Sequence, residues 1–247
     1  MTRTILLSYA HPDDETFTAA GIIRKYADMG VAILLSSATP GQAGSPGDPP
    51  LCAREELGRV REGELREAAR ILGIREVHFF GYEDRRLADA PPEEIRARLV
   101  ALIRRARPDV VITWDPNGVN LHPDHVAISR FTSDAVSAAA DQRWLPDLGP
   151  PHAVRRLLWT APLRVYALGL LSDPGREPGV DFLFDIRPWS RHKADALRAH
   201  RTQHKSVDRH FFDCPDLDRR LACEALRQAW GPPLARRPES DIFAGLD

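Results

Sequence analysis

The chain has 247 residues, 43% hydrophobic and 28% charged, enough apolar material for one large α/β domain or two small ones. With 34 Lys and Arg against 35 Asp and Glu the formal net charge is −1, which removes a general electrostatic case for nucleic acid or an anionic membrane and leaves a small-molecule partner. Cys52, Cys214 and Cys223 have no C-x-x-C spacing, the first apolar stretch stops at His11, and the longest later one, Val31 to Leu35, is far short of a membrane span; a cytoplasmic enzyme or binding protein is expected.

In chain order, Ile5 to Ser8 reads as a strand, Thr16 to Met29 as a helix stopped by Gly30, and Val31 to Ser36 as a second strand. A loop rich in Gly and Pro, Thr39 to Pro50, leads to a helix over Ala53 to Leu72, with Leu57, Val60, Leu65, Ala68, Ala69 and Leu72 at helical spacing and Gly73 as its stop. Val77 to Phe80 is a third strand, Glu93 to Ala106 a helix that Pro91 and Pro92 can open, and Asp109 to Trp114 a fourth strand. This βαβα succession predicts a mostly parallel sheet with helices on both faces, whose ligands bind beyond the carboxyl ends of the strands. The pattern weakens after about residue 150. Arg156 to Thr160 and Phe182 to Ile186 read as strands, Arg191 to His204 and Leu217 to Trp230 as helices, and Pro174 and Pro178 as loop punctuation. Nothing marks a linker, so residues 1–247 read as a single domain, with a core over about 1–140 and a C-terminal part that completes the substrate pocket.

Two short stretches carry chemistry. The first, "AHPDDE" at 10–15, follows the first strand, and its His11 and Asp14 offer one nitrogen and one oxygen, a pairing zinc accepts. The second, "HPDH" at 122–125, follows the fourth strand, with Pro123 suited to open a helix and His122 and His125 on one face of it. Taken alone, each has a plainer account: Asp14 and Glu15 can serve a helix N-terminus, and the two histidines can lie on a surface. Both motifs at carboxyl ends of strands in one parallel sheet point to a metal site.

The paired stretches resemble the signature of the LmbE/PIG-L family of zinc-dependent N-acetylglucosamine deacetylases, over Ile5 to about Ile128. The resemblance implies a Rossmann-like α/β fold, with His11, Asp14 and His125 as metal ligands and Asp13 as general base. It implies His122 as donor to the leaving amine or the oxyanion, with N-capping as its plainer role. It further implies Zn²⁺, with Fe²⁺ an alternative, and a small N-acetyl amino sugar or glycoside as partner. Three protein ligands leave a coordination position for water, as hydrolysis requires. Arg61 matches an arginine that contacts substrate in relatives, while an Arg61/Glu64 surface pair accounts for it equally well. Asp84 matches an acid that binds sugar hydroxyls, against a solvated loop acid. Asn120 stands where some relatives carry a tyrosine near the oxyanion, and Arg85 where many carry glycine, which implies an altered pocket. The glycines of "TPGQAG" (39–44) either let backbone approach a ligand or simply turn the chain. His200 and His204 are a less favoured second metal pair, and His200 or Gln203 is expected to line the pocket. Amidase action on thiol-sugar conjugates and noncatalytic sugar binding stay open beside deacetylation.

Overall fold

The computed structural model of the chain describes residues 3–161 and 179–246, so Pro174 and Pro178 lie outside the described residues. Seven strands, β1 (Thr4–Tyr9), β2 (Ala32–Ser37), β3 (Glu76–Phe79), β4 (Val110–Thr113), β5 (Arg156–Thr160), β6 (Phe182–Asp185) and β7 (Cys223–Trp230), form one sheet in the order β3-β2-β1-β4-β5-β7-β6. The first five are parallel, and β7 runs antiparallel between β5 and β6. Ile5, Leu6 and Leu7 are at most 1% exposed, because a central parallel strand is covered on both faces and every side chain along it meets a helix layer. Each such Leu or Ile contributes about 1.5–3 kcal/mol by leaving water.

Around the sheet, α1 (Asp14–Asp28), α2 (Leu57–Leu72) and α6 (Ser190–Ala199) pack together, while α3 (Pro92–Ala106) and α5 (Pro123–Ala140) form a separate pair. A single turn, α4 (Gly118–Leu121), precedes α5, and α7 (His204–Val207) and α8 (Leu217–Arg220) are equally short. The strand order reverses direction between β1 and β4. Crossovers leave those two neighbouring strands in opposite directions along the sheet, which opens a crevice at their carboxyl ends, and both motifs sit there. No described helix is long and apolar enough to cross a membrane.

Two expectations for the C-terminal part are corrected. The helix read over Leu217 to Trp230 is only the turn α8 followed by strand β7. Glu224, Ala225, Leu226, Arg227, Gln228 and Ala229 are good helix formers, but the slot between β5 and β6 offers paired backbone on both sides, and tertiary pairing overrides propensity. The helix read over Arg191 to His204 ends at Ala199, and His200 and His204 fall on different elements. Helix α1 also breaks internally: Ala19 leaves helical geometry (φ −146°, ψ 16°), and the freed N–H groups of Gly21 and Ile22 donate to the Glu224 carboxylate, itself paired with buried Lys193 at 2.7 Å.

Candidate active site

The turn from β1 into α1 brings its polar side chains inward. Asp14 Oδ2 accepts three donors, the N–H groups of Ala10 and His11 at 3.0 Å each and Trp114 Nε1 at 2.9 Å. Its other oxygen, Oδ1, lies 3.4 Å from His125 Nε2 and 3.8 Å from His11 Nδ1. Those two nitrogens are 3.2 Å apart. Each imidazole has its far side occupied: His125 Nδ1 donates to the Gly118 carbonyl at 3.1 Å, and His11 Nε2 donates to Asp84 Oδ1 at 3.1 Å and Asp124 Oδ2 at 3.2 Å. These partners select the tautomer each ring has when uncharged, in which lone pairs turn toward one another and toward a carboxylate oxygen.

Such a triangle of acceptors is what a small cation requires. Three ligand atoms about 2.0–2.2 Å from a tetrahedral ion stand roughly 3.4 Å apart, close to the 3.2, 3.4 and 3.8 Å found here. Burial disfavours the charged His11, but hydrogen bonds to Asp124, Asp14 and Asp84 outweigh it and hold the ring well above the usual histidine range. Burial likewise opposes ionisation of Asp14, yet His125 and His11 pull its carboxyl well below the usual value. His11 also belongs to a close group with His122 and His125 and to another with Asp84 and Asp124. The second group has another role, since Asp84 also accepts the Ala43 N–H and Asp124 accepts those of Arg85 and Leu87, so these carboxylates orient the His11 ring.

The remaining candidates surround the triangle. Asp13 is at φ 109°, outside the regions non-glycine residues ordinarily adopt, and does not cap α1 with its side chain. Its Oδ2 accepts from Arg61 Nη2 at 3.1 Å. Burial pushes its carboxyl up, Arg61 pulls it down and Asp14 pushes it up again, to about 6. His122 is the N-cap of α5, with Nδ1 accepting the Asp124 N–H at 3.2 Å, so its Nε2 carries the proton. Burial, with His11 and His125 beside it, keeps His122 below the usual histidine value. Asn120 accepts the His122 N–H through Oδ1 at 3.1 Å, which leaves its amide NH₂ as a donor.

Arg61 is not in a surface pair. It is 3% exposed, donates to the carbonyls of Gly41 and Pro12 as well as to Asp13, and Glu64 instead accepts from the Thr202 N–H and hydroxyl. The glycines of the 39–44 loop make room for it: a Cβ at Gly41 or Gly44 would lie 2.3 or 2.5 Å from its guanidinium nitrogen. Asp84 is buried too, and its His11 contact and neighbours bring it down to about 2 against the opposing effect of burial. A cavity of about 740 Å³ opens onto these groups, lined by Asp13, Asp84, Asn120 and His122 and, from the C-terminal part, by Lys193 and Gln203. Arg85 is also on its wall. His200 is not; it bonds Glu15, while His204 donates to the Arg201 carbonyl, and no metal-type group among the described residues contains either histidine. Sequence reasoning missed Trp114, Asp124 and Glu15 as partners of the site. The latter two lie within the quoted motifs, and Trp114 closes the fourth predicted strand, stacking on His125 at 4.1 Å between ring centres.

Residues 6–136 match the family model described as PIG-L, GlcNAc-PI de-N-acetylase. The chain is 33% identical to a 1D-myo-inositol 2-acetamido-2-deoxy-α-D-glucopyranoside deacetylase of Geodermatophilus obscurus, over 99% of this chain and 98% of that protein. Among solved structures, the N,N'-diacetylchitobiose deacetylase of Pyrococcus horikoshii superposes with a TM-score of 0.72 at 21% identity, covering 92% of this chain and 83% of that one. The conserved protein TT1542 of Thermus thermophilus does so with 0.70 at 28% identity, covering 94% and 96%.

Proposed function

The chain belongs to the PIG-L family, and on that premise we propose that it hydrolyses the N-acetyl group of a 2-acetamido sugar glycoside, releasing acetate and the free amine. The observation that carries this reading is the acceptor triangle of His11, Asp14 and His125 with a second carboxylate, Asp13, beside it on the cavity wall. Held by those three residues, a divalent ion, Zn²⁺ in this reading with Fe²⁺ as the alternative, supplies a Lewis acid for the acyl oxygen and lowers the pKa of water.

The chain's own groups then divide the proton work. Asp13 takes a proton from the attacking water; a carboxyl near 6 is ionised at neutral pH yet more basic than an ordinary aspartate. Arg61 holds that carboxylate in place. His122, neutral and fixed through Asp124, points its Nε2–H where negative charge develops on the acyl oxygen, and the Asn120 amide is a second donor there. As the C–N bond breaks, the amine nitrogen takes up the proton that Asp13 collected. Similarity to the inositol glycoside deacetylase makes an α-glucosaminide of inositol the first substrate to try. The test is acetate release from that glycoside, N,N'-diacetylchitobiose and N-acetylglucosamine by protein loaded with one equivalent of Zn²⁺. Equimolar acetate and free amine, fastest on the inositol glycoside, is expected; no release from any of them with the metal bound would overturn the reading.

A further inference from the structure

Two buried groups beside the acceptor triangle take no part in the chemistry above. Glu15 ends the first motif, and His200 follows α6, 185 positions further along the chain. Both side chains are 0% exposed. His200 Nε2 donates to Glu15 Oε1 at 2.9 Å, and the other carboxylate oxygen, Oε2, accepts the backbone N–H of Asp13 at 3.2 Å. His200 Nδ1 is buried with no hydrogen-bond partner among the described residues.

Stability alone is a poor reason for such a pair. Taking ionisable groups out of water is costly, and apolar side chains of similar volume commonly serve a core as well or better. The residue at the end of the chain of contacts supplies a better reason. Asp13 holds φ 109° and ψ −24°, a conformation that costs a non-glycine residue on the order of 1–3 kcal/mol and persists only where its surroundings impose it. We propose that Glu15 and His200 are a positioning pair: Glu15 fixes the Asp13 main chain through its N–H, and His200 fixes Glu15, so that the C-terminal part of the protein aims the carboxylate at the reacting water. Arg61 holds the same residue from its carboxylate end, so Asp13 is anchored at two points. Loss of the Glu15 acceptor lets the turn relax to negative φ and swings the Cβ away.

This inference rests on Asp13 as general base, and the experiment separates the two. Deacetylation kcat and KM, zinc content and thermal midpoint are measured for His200→Leu, which keeps volume without a donor, His200→Gln, which can still donate to Glu15, Glu15→Ala, and the double variant of Glu15→Ala with His200→Leu. His200→Leu and Glu15→Ala are expected to lower kcat about 10- to 100-fold, the range for groups that orient an active-site residue, with KM within about twofold and zinc near one per chain. His200→Gln is expected to recover most of the loss, and the double variant to be no worse than Glu15→Ala alone. His200→Leu as active as His200→Gln, or losses that add in the double variant, would overturn the pair. Asp13→Asn in the same assay tells the failures apart: if it is active, the base assignment falls, and if it is inactive while His200→Leu keeps full kcat, only the positioning pair falls.

Discussion

Asp13 and Asp14 are consecutive residues in two opposite environments. Asp14 looks into the sheet crevice, with one oxygen saturated by three N–H donors and the other facing two imidazoles, and its carboxyl is held well below the usual range. Asp13 lines the same cavity beside the triangle, and there burial and the neighbouring Asp14 charge outweigh Arg61 and raise its carboxyl to about 6. One turn of chain thus sets a carboxylate held strongly ionised beside two imidazoles next to a carboxyl raised by burial. The same principle separates paired carboxylates wherever one fold needs two roles from one residue type.

Substitutions on the two sides should therefore fail differently. The largest loss is expected for His125→Ala, which removes a corner of the triangle and the ring stacked on Trp114: zinc content falls well below one per chain and turnover drops by on the order of 10³-fold or more. Asp124→Asn leaves one acceptor oxygen where there were two, so either the Leu87 N–H or the Arg85 N–H together with His11 Nε2 faces an NH₂ group, and zinc affinity, by competition with a chelator, should fall about 10- to 100-fold. Gly41→Ala acts on the Asp13 side. Its Cβ collides with the Arg61 guanidinium at a φ of +69°, and denaturant titration should show about 1–3 kcal/mol of lost stability, with reduced kcat but zinc retained.

The smallest effect concerns pH. Burial lowers His200, but the charge and hydrogen bond of Glu15, with Asp13, outweigh it and leave the ring raised above its ordinary 6.5. The folded protein then binds the proton more tightly than the unfolded chain, so this contribution to stability is full below about pH 6.5 and is lost as pH rises through the folded value. The stability difference between parent and His200→Gln, from urea unfolding at a series of pH values, should shrink in that direction. A difference that grows with pH would contradict the ionised pair.

The two sides were not equally readable from the amino-acid order. His11, Asp14 and His125 fall in short stretches beside apolar runs, so local spacing alone delivers them to one sheet edge. The surroundings of Asp13 depend on loops that meet only in the fold. Arg61 reads equally as a substrate contact or as half of a surface pair until the 39–44 loop passes over it, and Glu15 has no visible partner until His200 arrives from another element. Strand β7 was hidden for a related reason, since its residues favour helix and only the open slot between β5 and β6 extends them. Parallel strands with continuous apolar runs need no such context, which is why β1 and β4 were legible and β7 was not.

The most direct test of the division between the two acids is a side-by-side measurement of zinc content and acetate release for Asp13→Asn and Asp14→Asn. Asp13→Asn is expected to keep one zinc per chain and lose about 10²- to 10⁴-fold in kcat, the range for a general base, while Asp14→Asn loses the metal and the activity together. Zinc lost equally from both variants, or full turnover by Asp13→Asn, would contradict that division.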